Sequence, residues 1–87
     1  MKIVWHIAAW NEFTQWSETD KKTFKKIVLL IKQCVRTPYE GDGKPEPLKH
    51  ELAGYWSRRI NSKDRLVYRA TADAVEIIAC KTHYEKI

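Results

Sequence analysis

The chain has 87 residues, 44% hydrophobic and 31% charged, a balance expected of one folded domain rather than a disordered segment. Its formal net charge of +5 favours an anionic partner, either nucleic acid or an acidic protein. The longest apolar runs, such as residues 27–31, are far too short to cross a bilayer, and polar residues follow Trp5 at once, so neither a membrane span nor a secretory signal is expected.

Residues 2–5 predict a short strand. Ala9, Trp10, Phe13 and Trp16 then recur at helical spacing, and the break at Thr19-Asp20 offers Asp20 as the N-cap of a second helix. That helix carries Phe24, Ile27, Val28, Ile31, Cys34 and Val35 on one side and Lys21, Lys22, Lys25, Lys26 and Lys32 on the other. It must stop before Thr37-Pro38, because a residue preceding proline disfavours helical geometry. Two amphipathic helices with so tight a break predict an antiparallel hairpin. Trp5, Trp10, Phe13, Trp16 and Phe24 follow the helix and strand periods and are assigned to the core. Without a secretory signal, Cys34 and Cys80 read as reduced core thiols rather than a disulfide.

Residues 39–47, with Pro45, Pro47 and two glycines, read as a loop. Segments 55–60, 65–71 and 75–84 are rich in β-branched and aromatic residues and predict strands, broken at 61–64 and 72–74. The order β-α-α-β-β-β predicts an α+β fold. An N-terminal strand joins a mostly antiparallel four-stranded sheet, the helix hairpin packs on one face, and the other face stays open for a site. Tyr55 and Trp56 point to opposite faces of one strand, so only one of them is expected in the core. Residues 1–87 read as a single domain with a short tail at 85–87.

Residues 44–69 carry seven cations and three acids, so +4 of the total charge falls there. A solvated face is the plain reading and an anion site the sharper one. Within this segment Glu46 lies between Pro45 and Pro47, which restrict its backbone; such a rigid loop either shapes a turn or aims a side chain. Period 2 groups Arg58 with Trp56 and Ile60, and Arg59 with Tyr55 and Ser57. A four-residue turn at 61–64 would pair Ile60 with Arg65 and separate Arg65 from Arg59. A three- or five-residue turn, or a bulge, would oppose the two arginines, an arrangement that like charges disfavour unless an anion sits between them. His83 can exchange a proton near neutral pH, although a lone histidine is more often structural. Cys80-x-x-His83 lacks a second half for a zinc site, since Cys34 and His50 do not supply the spacing. There is no nucleophile elbow or phosphate-binding glycine loop, and the carboxylates are too few for a magnesium nuclease. What remains is one rigidly held acid, several cations and a histidine, with no metal or other cofactor.

The stretch TPYEGDGKPEPLKHELAGYWSRRINSKDRLVY, the later CKTHY, the opening MKIVW and the ETDKK between the helices resemble the YoeB/Txe toxins of the bacterial RelE superfamily, over residues 1–84. The resemblance implies a compact microbial-ribonuclease-like fold and the toxic half of a toxin–antitoxin pair. It implies a metal-independent, ribosome-dependent endoribonuclease of the bacterial cytoplasm that cuts mRNA in the ribosomal A site and stops translation. A cognate antitoxin of the YefM/Axe type would neutralise it, the basic surface would meet ribosomal RNA, and a homodimer is compatible with the family. By position, the resemblance implies Glu46 as general base, His83 as general acid and Arg65 on the scissile phosphate, with Lys49, Arg59 and Tyr84 in support. The chain departs from the family in its added Glu85-Lys86-Ile87 and in the first-helix stretch HIAAWNEF. The same scaffold also carries gyrase-poisoning toxins, against which the Glu46 and His83 pair argues. A non-catalytic module that binds RNA or antitoxin is the other alternative.

Overall fold

The computed structural model of the chain describes residues 1–82. Its first half is organised by Asp20. The Asp20 N–H donates to the Trp16 carbonyl (2.9 Å) and closes helix α1 (Ile7–Thr19). The Asp20 carboxylate accepts from the Thr23 N–H (3.1 Å) and hydroxyl (2.7 Å) and so caps helix α2 (Lys21–Arg36). These donors, the Thr23 backbone N–H foremost, hold the Asp20 carboxyl below its ordinary range. α2 buries Ile27, Leu30, Ile31 and Cys34 and leaves its five lysines in solvent, as its sequence period requires. It ends at Thr37, before Pro38. No described helix is long and apolar enough to cross a membrane.

The sheet has five strands rather than the four expected, in the order β1-β5-β4-β3-β2. These are β1 (Lys2–Trp5), β2 (Glu46–Pro47), β3 (Trp56–Arg59), β4 (Arg65–Ala70) and β5 (Ala74–Thr82). β1 runs parallel to β5, and every other pairing is antiparallel. The extra strand is β2, two residues from a stretch that reads as loop. It pairs Glu46 with Ser57 and Pro47 with Trp56 at the sheet edge, where a proline is tolerated because one side of the strand needs no donor. Lys44, which precedes Pro45, adopts φ 50 rather than the extended geometry usual before proline.

Between the helices and the sheet lies the main core, built on Trp16, Ile27, Leu30, Leu66, Tyr68 and Ile77. Trp10 is an exception among the expected core aromatics. It is 44% exposed at the rim of the helix layer, edge-on to Trp5 at 5.5 Å. Tyr55 and Trp56 both pack, which corrects the expectation that only one could. Trp56 joins the main core, whereas Tyr55 joins a smaller cluster around Leu48, Val67 and Ala79 on the far face. That cluster exists because residues after β2 fold back over the sheet through a short 3-10 helix (His50–Leu52), closed by the Leu48 N–H on the Tyr55 carbonyl (2.9 Å). The far face is therefore only partly open.

Adjacent leucines of α2 test the placement of the core. Leu30 is fully buried and Leu29 is 49% exposed. Leu30→Ala should cost about 2–5 kcal/mol in urea denaturation. Leu29→Ala should stay within about 0.5 kcal/mol of the parent.

Candidate functional site

The segment that carries Glu46 to the sheet edge is tied down from behind by Arg58. This side chain lies on the helix side of β3 and is fully buried. Its Nε donates to the Tyr68 hydroxyl (3.1 Å) and its Nη1 to Gln33 Oε1 (3.0 Å) and the Asp42 carbonyl (3.2 Å). Its Nη2 donates to the carbonyls of Thr37 (2.6 Å) and Glu40 (2.9 Å). The Tyr68 hydroxyl in turn donates to the Pro38 carbonyl. Counting Arg58 with the surface cations of residues 44–69 is thus corrected: it adds nothing to the exposed charge. Its sequence neighbours on the same strand face, Trp56 and Ile60, were the available signal, since both are apolar.

Beyond this anchor the backbone crosses to β2. The Arg59 N–H donates to the Gly43 carbonyl (2.6 Å), and Glu46 then pairs with Ser57. Register decides which side chains share the far face. Ser57 pairs with Val67, and Arg59 pairs directly with Arg65. Cross-strand partners, and residues two apart on one strand, lie on one side of a sheet. Glu46, Arg59 and Arg65 therefore emerge on the same face. The direct opposition of the two arginines follows from a five-residue turn over 60–64. There the Ile60 N–H donates to the Asp64 carbonyl (3.0 Å), while Asn61 Oδ1 accepts from the N–H groups of Lys63 (2.8 Å) and Asp64 (2.7 Å). The same turn takes up Arg65, whose Nη1 donates to the carbonyls of Asn61 (3.1 Å) and Asp64 (3.2 Å). This holds one edge of the guanidinium and eases the repulsion from exposed Arg59.

Lys49 and Glu46 line one pocket of about 360 Å³ with Pro47, Leu48, His50 and Leu52. Among the described residues the Glu46 carboxylate makes no hydrogen bond or ion pair. The other end of the face differs. Glu76 there accepts from His6 (2.6 Å) and Arg69 (2.6 Å), and these contacts, His6 foremost, keep its carboxyl below the ordinary range. Cationic charge is thereby left uncompensated mainly at the Glu46 end. His83 and Tyr84, the remaining candidates, lie outside the described residues. The last described residue of β5, Thr82, pairs with Arg65.

Residues 5–84 match the YoeB-like toxins of bacterial type II toxin-antitoxin systems. The chain belongs to this family. Toxin YoeB of Escherichia coli K12 is 55% identical over 84 residues, which is 97% of this chain and all of that one. Among solved structures, the YoeB/ParE toxin of Agrobacterium tumefaciens superposes with a TM-score of 0.92 at 46% identity, covering 97% of this chain and 100% of its own. YoeB of Staphylococcus aureus superposes as a dimer with a TM-score of 0.90 at 42% identity, covering 97% and 98%. It has also been solved in a heterotetrameric YoeB-YefM toxin-antitoxin complex, with a TM-score of 0.88 at 43% identity over 94% of this chain and 95% of that one. The expected α+β fold agrees with these relatives.

Both thiols are core groups, in line with the sequence expectation. Burial pushes Cys34 up to about 11 and Cys80 up to about 12 from an ordinary value of 9.0. A thiol raised in the folded state favours folding below its unfolded value and loses that contribution as pH climbs past it. Stability should hold below about pH 9 and fall toward pH 11–12. Ellman's reagent at pH 8 should leave the native chain nearly unlabelled and should label both thiols in urea; rapid labelling of the native chain would contradict their burial.

Proposed function

We propose that the chain is a ribosome-dependent endoribonuclease that cleaves mRNA in the ribosomal A site and so inhibits translation. One observation carries this reading: register brings an unpaired carboxylate, Glu46, onto the same face as Arg59 and Arg65, at the cationic end of the sheet. RNA supplies its own nucleophile in the 2′-hydroxyl beside each phosphate. Glu46 accepts the proton of that hydroxyl as its oxygen attacks phosphorus. Arg65, with Arg59 and Lys49, stabilises the charge that grows on the non-bridging oxygens. His83 donates a proton to the departing 5′-oxygen, and Tyr84 stacks on a base or supports the phosphate. The products are a 2′,3′-cyclic phosphate, or the 3′-phosphate formed from it, and a 5′-hydroxyl. The rigid Pro45-Glu46-Pro47 unit suits an acid that must be aimed, and each proton transfer is worth about 10²–10⁴-fold in rate.

An open face with few groups to grip a substrate needs its RNA presented in an attack geometry, which the ribosome supplies. The exposed lysines of α2 and the basic end of the sheet meet ribosomal RNA. The cellular site of action is then the bacterial cytoplasm. The YoeB-YefM complex of the Staphylococcus aureus relative supports a YefM-type antitoxin as the neutralising partner, and the dimer of that relative supports a homodimer.

Mapping of mRNA 5′ ends in a purified translation system tests the assignment. Glu46→Gln and His83→Gln should each lower cleavage by about 10² or more while ribosome binding persists. The parent should cut ribosome-bound mRNA far faster than the same RNA free in solution. Near-parental cleavage by either variant would remove its acid–base role, and equal rates on both substrates would remove the ribosome dependence.

A further inference from the structure

We propose that Arg58 is a positioning residue for Glu46, acting through the backbone from the opposite side of the sheet. Its consequence for cleavage rests on the nuclease reading above; its ordering of the segment does not.

A guanidinium has five N–H donors, and Arg58 makes five hydrogen bonds. None of these goes to a carboxylate. Three of the acceptors are backbone carbonyls of Thr37, Glu40 and Asp42, all within the short segment that links α2 to β2. The Thr37 carbonyl also belongs to the C-terminal end of α2, where the helix dipole favours a cation. As a filler of space this charge is a poor choice, because a similar apolar side chain would avoid its desolvation. No apolar side chain, however, can hold three separate carbonyls of one segment at once.

That segment has little else to order it. Residues 39–42 are exposed. Gly41 (φ +124) lies so close that an added Cβ would sit 2.7 Å from Gln33 Oε1 and 3.0 Å from Arg58 Nη1, and a Cβ on Gly43 would lie 3.0 Å from Arg58 Cβ. The segment is thus moulded on the Arg58 side chain. From Asp42 the chain reaches Glu46 through Gly43, Lys44 and Pro45, the last with a locked φ. β2 has only two paired residues of its own. A shift at Asp42 is therefore passed on to Glu46 with little to absorb it. Gln33 braces the same point: its Oε1 accepts from Arg58 and from the Asp42 N–H (2.8 Å), and its Nε2 donates to Asp42 Oδ2 (2.9 Å).

The test uses Arg58→Lys, which keeps the charge and loses the fork, and Gln33→Ala, which keeps Arg58 and loses the brace. Each is made alone and with Glu46→Gln. Amide exchange should accelerate at Asp42 and Arg59, whose N–H groups bond across this segment, while the helix interiors stay protected. On ribosomes, Arg58→Lys should lower the cleavage rate at saturation by about 10²-fold, as expected for a misplaced base, with KM little changed. Gln33→Ala should act in the same direction but more weakly. In the Glu46→Gln background neither substitution should lower the residual rate further, because both act through Glu46. Unchanged exchange at Asp42 and Arg59 would overturn the proposal, as would a full further loss in the Glu46→Gln background. If Arg58→Lys does not fold, Gln33→Ala decides the matter by the same criteria. Should Glu46→Gln alone leave cleavage intact, the nuclease reading fails, and the exchange data still decide whether Arg58 orders the segment.

Discussion

A guanidinium buried among carbonyl oxygens is the contact on which the far face of this molecule depends. Hydrogen bonds to a charged group contribute about 1.5–3 kcal/mol each, and carbonyls left without a donor in a buried site cost a comparable amount. Arg58 satisfies carbonyls at the end of α2 and along the following segment while Tyr68 serves Pro38. The helix end, the turn and the strand edge become one unit. Without that unit, a two-residue strand containing a proline would have little reason to stay at the edge of the sheet.

The two faces of the sheet then divide the work. The helix side takes the large apolar residues, and even its irregularities are satisfied. Between β4 and β5 the register shifts twice, and at Cys80 α1 supplies the missing partners. Trp16 Nε1 donates to the Cys80 carbonyl (2.8 Å) and Glu12 Oε1 accepts from the Cys80 N–H (2.8 Å). Bulges of this kind re-aim a strand, and the one at Cys80 lies just before the end of β5. The far face takes the charge. Glu76 compensates His6 and Arg69 at one end, so the other end keeps Lys49, Arg59 and Arg65 beside a single carboxylate. A phosphodiester arriving there meets positive potential without a competing acid pair.

Much of this was legible in the residues. Asp20 reads as a cap because its side chain can serve the exposed donors of a helix start, and the α2 period shows which face is buried. The antiparallel strands read from β-branched and aromatic runs. Three features did not. β2 escaped because two residues cannot display a period, and prolines argue for loop unless the edge position is known. The burial of Arg58 escaped because a charge run looks solvated until the acceptors, distant in sequence, are placed around it. The Arg59–Arg65 register stayed open because it turns on one residue of loop length, which the Asn61 hydrogen bonds decide. Trp10 follows the helical period yet lies at the rim, since the period gives direction but not the extent of the layer above it. The roles of Glu46, Lys49, Arg59, Arg65, His83 and Tyr84 came from family resemblance rather than from spacing.

The central chemical claim is attack by the substrate's own 2′-hydroxyl. It is tested most directly with an mRNA on the ribosome that carries a single 2′-deoxynucleotide at the mapped cleavage position. Cleavage there should disappear, while the all-ribose control should yield a 2′,3′-cyclic phosphate (or 3′-phosphate) and a 5′-hydroxyl. Cleavage of the deoxy substrate at an unchanged rate, or products ending in a 5′-phosphate, would contradict the account.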